Sequence, residues 1–491
     1  MKIALTTYVK KYPFFLLLLP VFFVLHGFTE NYDFVPPKDA LLLTGIYIAA
    51  SLVLLCLSWL LFKNWLKAAT LSFFLMAFHF FFGSMHDAIK SIFPGTLFTK
   101  YIFILPFSFC LFLAVVILLR KRNKPLHLLA GYLNLLLLLV IVLDILWLAS
   151  KKINKDGHYA ALSNDFIVYN DRQKPDVYII IADEYAGTTA LKEIFHFDNA
   201  EFISQLARRG FHIIPHSSSN YRYTPLSVAS MLSMDYLKPK VNMQYLTYSY
   251  ETIKNDAFLA FLQSEQYRFY NYSFFDFKGQ PTLTQEMFLP CKTKLITSQT
   301  FLSRIKRDMG FLLVMKFNSK QELDRKKILT VKQNNEQLFR ITLKKAADKT
   351  TYPKFVFTHL MMPHYPYLFD RNGREFPFEQ VLDEGKMLEE NYLEYLQFCN
   401  RKLLELVDGI LNNSSMPPVI ILAGDHGFRR FTEPLDRKYY FINLAAVHLP
   451  GSDYSAFPDS LTNVNLLRAV LNTTFGQHLP YLKETSIMDI P

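Results

Sequence analysis

"PDVYIIIADEYAG", residues 175 to 187, decides how the larger part of this chain folds. Val177 to Ala182 is an unbroken apolar run rich in β-branched residues, and it stops abruptly at Asp183, Glu184 and Gly187. A short apolar run bounded by turn residues reads as a strand buried on both faces, the kind found inside parallel sheets. The next segment, "AEFISQLARRGFHIIPHSS" (200–218), reads as an amphipathic helix stopped at Gly210, then a short strand. "YRFYNYSFF" (267–275), "KFVFTHLMM" (354–362) and "PVIILAGDHG" (418–427) are further strand candidates, and "YLEYLQFCNRKLLELVDGIL" (392–411) is a helix before the last of them. Strands alternating with helices predict an α/β domain layered around a mainly parallel central sheet.

The chain begins differently. Stretches near 13–29, 40–62, 67–86, 101–119 and 127–149 are each long and apolar enough to be read as transmembrane helices, which take about 20 residues. The expectation is therefore an α-helical membrane domain of five helices over 1–150, a linker over 151–175 and an α/β domain over 176–491. Lys2, Lys10 and Lys11, then Lys63 and Lys67, then Arg120 to Arg122 with Lys124 fall on one side. Glu30, Asp33, Asp39 and the sparsely charged 87–100 loop fall on the other. The positive-inside rule then places the N-terminus in the cytoplasm and everything after residue 150 outside it. The expected location is the inner or plasma membrane, multi-pass, with the α/β domain extracytoplasmic. The first apolar stretch has no small-residue cleavage pattern and reads as a retained helix.

Charge supports this division. The net charge is +11, but residues 1–155 hold 15 Lys and Arg against 5 Asp and Glu, which leaves about +1 for the remainder. The basic balance belongs to the membrane flanks, so nucleic-acid binding is not expected. Asp144 is the lone acid deep within a predicted span, and few helix breakers accompany it, which disfavours a transporter. Cys291 and Cys399 are the exported cysteines, and a disulfide between them is permitted by the compartment but not specified by spacing.

Four pieces carry possible chemistry. Asp183-Glu184 is a pair of adjacent carboxylates at a strand end, either a solvated turn or a cation site. Asp425-His426-Gly427 ends another strand with a hard oxygen and an imidazole, a mix suited to zinc or manganese. Thr224 precedes Pro225 and an apolar-periodic run, so it is either a helix N-cap or a hydroxyl presented to a phosphate. "THLMMPHYPY" (358–367) supplies His359 and His364, either packed residues or phosphate contacts. Outside these, residues 235–350 show no obvious chemistry. Within them "FLSRIKRDMGFLLVMKF" (301–317) sets Phe301, Ile305, Met309 and Leu312 on one helical face, a packed helix or one resting on the outer leaflet.

In order and spacing these pieces resemble the alkaline-phosphatase superfamily in its sulfatase-like branch, and within it the membrane lipoteichoic-acid synthases and phosphoethanolamine transferases. The resemblance runs from about 174 to 485. "IIIADEY" is similar to the first metal-ligand strand, with Asp183 and Glu184 on its carboxylates. "TPLSVASMLS" is similar to the nucleophile helix, with Thr224 on the nucleophile. "MMPHYPY" resembles the substrate-binding His segment at His364, and "GDHG" the second ligand pair at Asp425 and His426. The resemblance implies a divalent metal held by Asp183, Glu184, Thr224, Asp425 and His426, zinc or manganese first, with magnesium or calcium admissible.

It further implies a transferase that moves a phosphorylated headgroup, of phosphoethanolamine or glycerophosphate type, from a membrane phospholipid. The group would pass through a covalent intermediate on Thr224 to an envelope glycan or lipid acceptor. The alternatives are a phosphodiesterase without a dedicated acceptor and a non-catalytic envelope scaffold. A monomer is expected. Two departures stand out. The further His that phosphoethanolamine transferases carry after Asp-His-Gly is missing from "FRRFTEPLDRKYY" (428–440), where Arg429, Arg430 or Lys438 is the candidate to supply positive charge instead. Val228 replaces the sulfatase Arg, and a Thr cannot become formylglycine, so sulfate-ester hydrolysis is disfavoured.

Overall fold

A computed structural model describes residues 12–32, 34–124, 126–153, 166–168, 174–238, 245–284, 292–317, 320–382, 388–431 and 435–488. Most of the expected 151–175 linker, together with Cys291, lies outside them. The chain divides into two compact units, one of residues 1–157 with 288–319, the other of 158–287 with 320–491. The assignment of 288–319 to the α/β domain needs correction.

In the first unit, helices Pro37–Phe62, Trp65–Ile92, Tyr101–Lys121 and His127–Lys151 are long and apolar enough to cross a membrane. The expected first span is the helix Phe15–Glu30, which has 16 residues and Pro20 inside it. At 1.5 Å per residue it reaches about 24 Å, short of a hydrocarbon core of roughly 30 Å. Large apolar side chains such as Leu41, Ile102 and Leu128 face outward, which suits a lipid solvent rather than water. Polar side chains fasten the helices internally: Ser72 Oγ donates to Ser58 Oγ at 3.1 Å, and His26 Nδ1 lies 3.0 Å from Asp144 Oδ1.

The helix Phe301–Phe317 belongs to this unit for a physical reason. Phe301 packs on Phe78 and Phe82, with ring centroids 5.3 and 5.0 Å away. Arg304 is buried and paired with Asp87. Gly83 N donates to Gln299 O at 2.7 Å, a contact so close that a Cβ on Gly83 would sit 2.5 Å from that oxygen. The segment is thus a packed helix, and the leaflet-resting reading does not hold for Phe301 and Arg304.

The second unit holds a six-stranded sheet in the order β2-β7-β6-β1-β5-β4. Its strands are β1 Val177–Ala182, β2 His212–Ile213, β4 Arg268–Tyr272, β5 Lys354–Leu360, β6 Val419–Gly424 and β7 Ala445–His448. A separate pair joins β3 His216–Ser218 to β8 Ser460–Thr462. β4, β5, β1 and β6 run parallel, while β7 pairs antiparallel with β6 and β2. Every residue of β1 is buried, as the opening stretch requires, because one apolar cluster covers each face. The helix Leu388–Asn413 contributes Tyr392, Leu396, Cys399 and Leu403 to one of them. Cys399 is free and fully buried.

Register positions the site. Ala182 of β1 is paired with Gly424 of β6, so Asp183 and Asp425 each follow the last registered pair and emerge side by side. On the other flank Ile181 is paired with His359 of β5. Ligands gather at such carboxyl ends in open α/β sheets.

Candidate functional site

The structure brings Asp183, Asp425 and His426 together, with one ligand atom from each lying within 4.8 Å of the others. Among the described residues this is the one such group of three or more. All three are buried. His426 Nδ1 lies 2.8 Å from the Gly427 carbonyl, to which it can only donate. That fixes the tautomer and leaves the Nε2 lone pair directed inward, 3.2 Å from Asp425 Oδ2. Burial, with Arg429 nearby, holds the His426 imidazole well below its ordinary pKa, so the ring is neutral. Burial and then the neighbouring Asp425 push the Asp183 carboxyl well above the usual range.

Thr224 is where the two readings of its sequence separate. It is the first residue of the helix Thr224–Ser233, the N-cap is Tyr223, and no side chain caps the helix. Thr224 Oγ1 instead lies 3.2 Å from His426 Nε2. One turn later, Ser227 Oγ donates to the Asp425 carbonyl at 2.5 Å, tying this helix to the end of β6.

Glu184 stands beside the cluster rather than within it. Its φ of 60° is left-handed, a conformation costing about 1–2 kcal/mol in a residue with a Cβ. The turn is held by Glu184 N donating to Asp425 Oδ1 at 2.9 Å and by Tyr392 OH donating to Glu184 O at 2.9 Å. Glu184 Oε1 accepts from Arg429 N at 3.1 Å, and Oε2 lies 3.7 Å from His364 Nε2. Thus His364 reaches the site through Glu184. Arg429 borders it, whereas Lys438 is exposed and turned to Asp436, 3.7 Å away. Val228 is buried in the core.

His359, which the sequence offers as a packed residue or a phosphate contact, is fully buried behind Asp183. Its Nε2 lies 3.1 Å from Asp183 Oδ2, and burial lowers its pKa to about 4. The neutral ring can donate to Asp183 Oδ2 and so orient the carboxyl, the usual part of a residue behind a ligand. Asn463 is a second support the sequence did not reveal: its Nδ2 donates to the carbonyls of Gly424 and Asp425, both at 3.3 Å. Gly427, which follows the Asp425-His426 pair, admits a close approach of backbone, since a Cβ there would lie 2.5 Å from Tyr439 O and 2.6 Å from Ile442 O.

The donor set fits a divalent cation. Asp183 Oδ1, Glu184 Oε2 and Asp425 Oδ2 are buried without a hydrogen-bond partner. Orphaned carboxylate oxygens of this kind are costly unless a cation satisfies them. Two carboxylates and an imidazole suit zinc or manganese.

No protein-family model and no curated protein matches the sequence. Solved structures do match in part. The integral membrane lipooligosaccharide phosphoethanolamine transferase A from Neisseria meningitidis is 11% identical, over 96% of this chain and 94% of its own, with a TM-score of 0.37. The C-terminal periplasmic domain of EcEptC from Escherichia coli, in complex with Zn, is 10% identical over 62% and 83%, with a TM-score of 0.39. BT1596, a 2-O GAG sulfatase, is 13% identical over 64% and 73%, with a TM-score of 0.38.

Proposed function

We propose that the protein is a membrane-anchored, metal-dependent transferase. It moves a phosphorylated headgroup from a membrane phospholipid, through a covalent intermediate on Thr224, to an envelope glycan or lipid acceptor. The observation that carries this reading is the approach of Thr224 Oγ1 to His426 Nε2, beside two buried, unsatisfied carboxylates. Asp183, Asp425 and His426 would hold the metal, with Glu184 and Thr224 at its margin. A divalent cation, when bound, supplies the positive charge that acidifies a neighbouring hydroxyl and offsets charge developing on phosphoryl oxygens.

The chain's own residues supply the rest. Thr224 forms a new bond to phosphorus as the bond to the diacylglycerol oxygen breaks. The Thr224 hydroxyl loses its proton, and the departing oxygen gains one. His364, held beside Glu184, is the group placed to deliver it. An acceptor hydroxyl then displaces Thr224. The five-helix topology, with the α/β domain outside the cytoplasm, is part of the same proposal, because it sets the site on the face where envelope acceptors lie.

The test is to quench the protein during incubation with phospholipid vesicles and weigh the peptide containing Thr224. A mass increment equal to a phosphorylated headgroup supports the reading. Diacylglycerol release with no adduct in any quench, alongside free headgroup, favours the phosphodiesterase instead.

A further inference from the structure

The helix that begins at Thr224 offers a phosphoryl oxygen few backbone donors. Pro225 has no N–H, and the N–H groups of Leu226 and Ser227 both donate to the Tyr223 carbonyl, at 3.0 and 2.9 Å. Positive charge at this end therefore comes from side chains. The Arg222 guanidinium lies over the Tyr223 ring, 5.0 Å from its centroid, and that of Arg429 lies 5.6 Å from the same centroid. Arg429 Nη1 donates to the Arg222 carbonyl at 3.0 Å, locking the two together. Arg222 Nε is buried and makes no hydrogen bond. Next to His364, the Arg430 guanidinium covers the Tyr365 ring at 4.4 Å.

These contacts decide which headgroup the rim can receive. An ammonium group is recognised by a free carboxylate or by a bare aromatic face. Tyr223 and Tyr365, the rings adjoining the nucleophile and His364, already have guanidiniums over them. Glu184 Oε1 accepts from Arg429 N, and the whole side chain is buried behind the rim. An arriving ammonium meets like charge, which discriminates against it. A polyol or an anion meets fixed, planar N–H donors.

We propose that the rim of Arg222, Arg429 and Arg430 selects a donor whose headgroup carries no cation, a glycerophosphate type rather than phosphoethanolamine, with Arg222 as the specificity-determining residue. This rests on the transferase reading, so the experiment has two arms. In the first, calorimetry measures binding of glycerol 1-phosphate and of phosphoethanolamine to the full-length protein in detergent. In the second, diacylglycerol release is followed in vesicles of phosphatidylglycerol or phosphatidylethanolamine.

Glycerol 1-phosphate is expected to bind about tenfold more tightly, and phosphatidylglycerol to have the higher kcat/KM by a similar factor. Arg222→Gln should shrink both ratios to within about threefold, mainly through KM, while Arg222→Lys keeps part of the preference. Equal or tighter binding of phosphoethanolamine, binding of neither ligand, or equal loss for both in Arg222→Gln overturns the proposal. The binding preference without cleavage of either lipid would leave the rim standing and overturn the transferase.

Discussion

Thr224 Oγ1 and His426 Nε2 lie 3.2 Å apart although 202 residues separate them in sequence. They meet because Ser227, one turn after Thr224, is bonded to the Asp425 carbonyl at the end of β6. The hydroxyl is thereby aimed at the carboxylates rather than at its own helix. On the proposed covalent route Thr224→Ala should lower turnover by roughly three orders of magnitude or more, because that route attacks through the Thr224 oxygen. Metal content, measured by elemental analysis, should stay near that of the wild type, since Asp183, Asp425 and His426 remain. Near-normal turnover in this variant would rule out the covalent route.

The same carboxylates predict an inversion of stability. Without a cation, Asp183 and Asp425 repel each other in a buried setting. A bound ion present at 100 times its Kd adds about 2.7 kcal/mol. Chelation should therefore lower the Tm of the wild type. Asp425→Asn removes the repulsion, so its Tm should exceed that of the chelated wild type yet show no response to added zinc or manganese. A metal response undiminished in this variant would place the ion elsewhere.

Much of this was legible in the sequence. β1, β5 and β6 announced themselves as apolar runs, and the acids at their ends stood out because carboxylates seldom follow such runs without a reason. The contact of His359 with Asp183 did not, because the two lie on different elements and only the register of β1 with β5 brings them together. Periodicity could not place Arg304 either. A helical wheel assigns a charge to the solvent face, and it has no knowledge of Asp87, far earlier in the chain, that pairs with it. Nor does the sequence show why residue 427 is glycine, because the two carbonyls that crowd it come from residues further on.

That close approach gives a sharp test of packing. In Gly427→Ala the added methyl would meet the Tyr439 and Ile442 carbonyls, both of them backbone and unable to rotate away. Crowding of this kind costs about 1–3 kcal/mol. Urea unfolding should show a lower midpoint with an unchanged slope. A midpoint equal to that of the wild type would mean that the loop after β6 is not held where the structure places it.

Acid sensitivity should be traceable to the Arg209–Asp408 pair. Arg209 Nε and Nη2 donate to the two Asp408 oxygens at 2.6 and 2.8 Å, and these bonds hold the Asp408 carboxyl below its ordinary pKa. A carboxyl depressed in the folded state adds stability that is full above its unfolded value near 3.9, and the gain is lost as pH falls through the lower folded value. Asp408 is partly exposed, so solvent screening keeps the contribution below about 1 kcal/mol. Asp408→Asn should be slightly less stable than the wild type at pH 7, and the two should converge toward pH 3. A gap that persists at pH 3 would assign the effect to packing.

The side of the membrane can be settled independently of the helix Phe15–Glu30. Lys63 and Lys67 bracket the turn between Pro37–Phe62 and Trp65–Ile92, and Arg120 to Lys124 fill the turn between Tyr101–Lys121 and His127–Lys151. The positive-inside rule assigns both basic turns to the cytoplasm under the proposed topology. The four long helices then run out-to-in, in-to-out, out-to-in and in-to-out, and residues beyond them emerge outside. Whether Phe15–Glu30 crosses changes only the side on which the N-terminus lies. An alkaline-phosphatase reporter, active only when exported, should therefore be active when fused after Lys155 and inactive after Lys121. Deleting residues 1–30 should leave that pattern intact. Activity confined to the Lys121 fusion would put the nucleophile in the cytoplasm, away from any envelope acceptor, and would end the transferase reading with it.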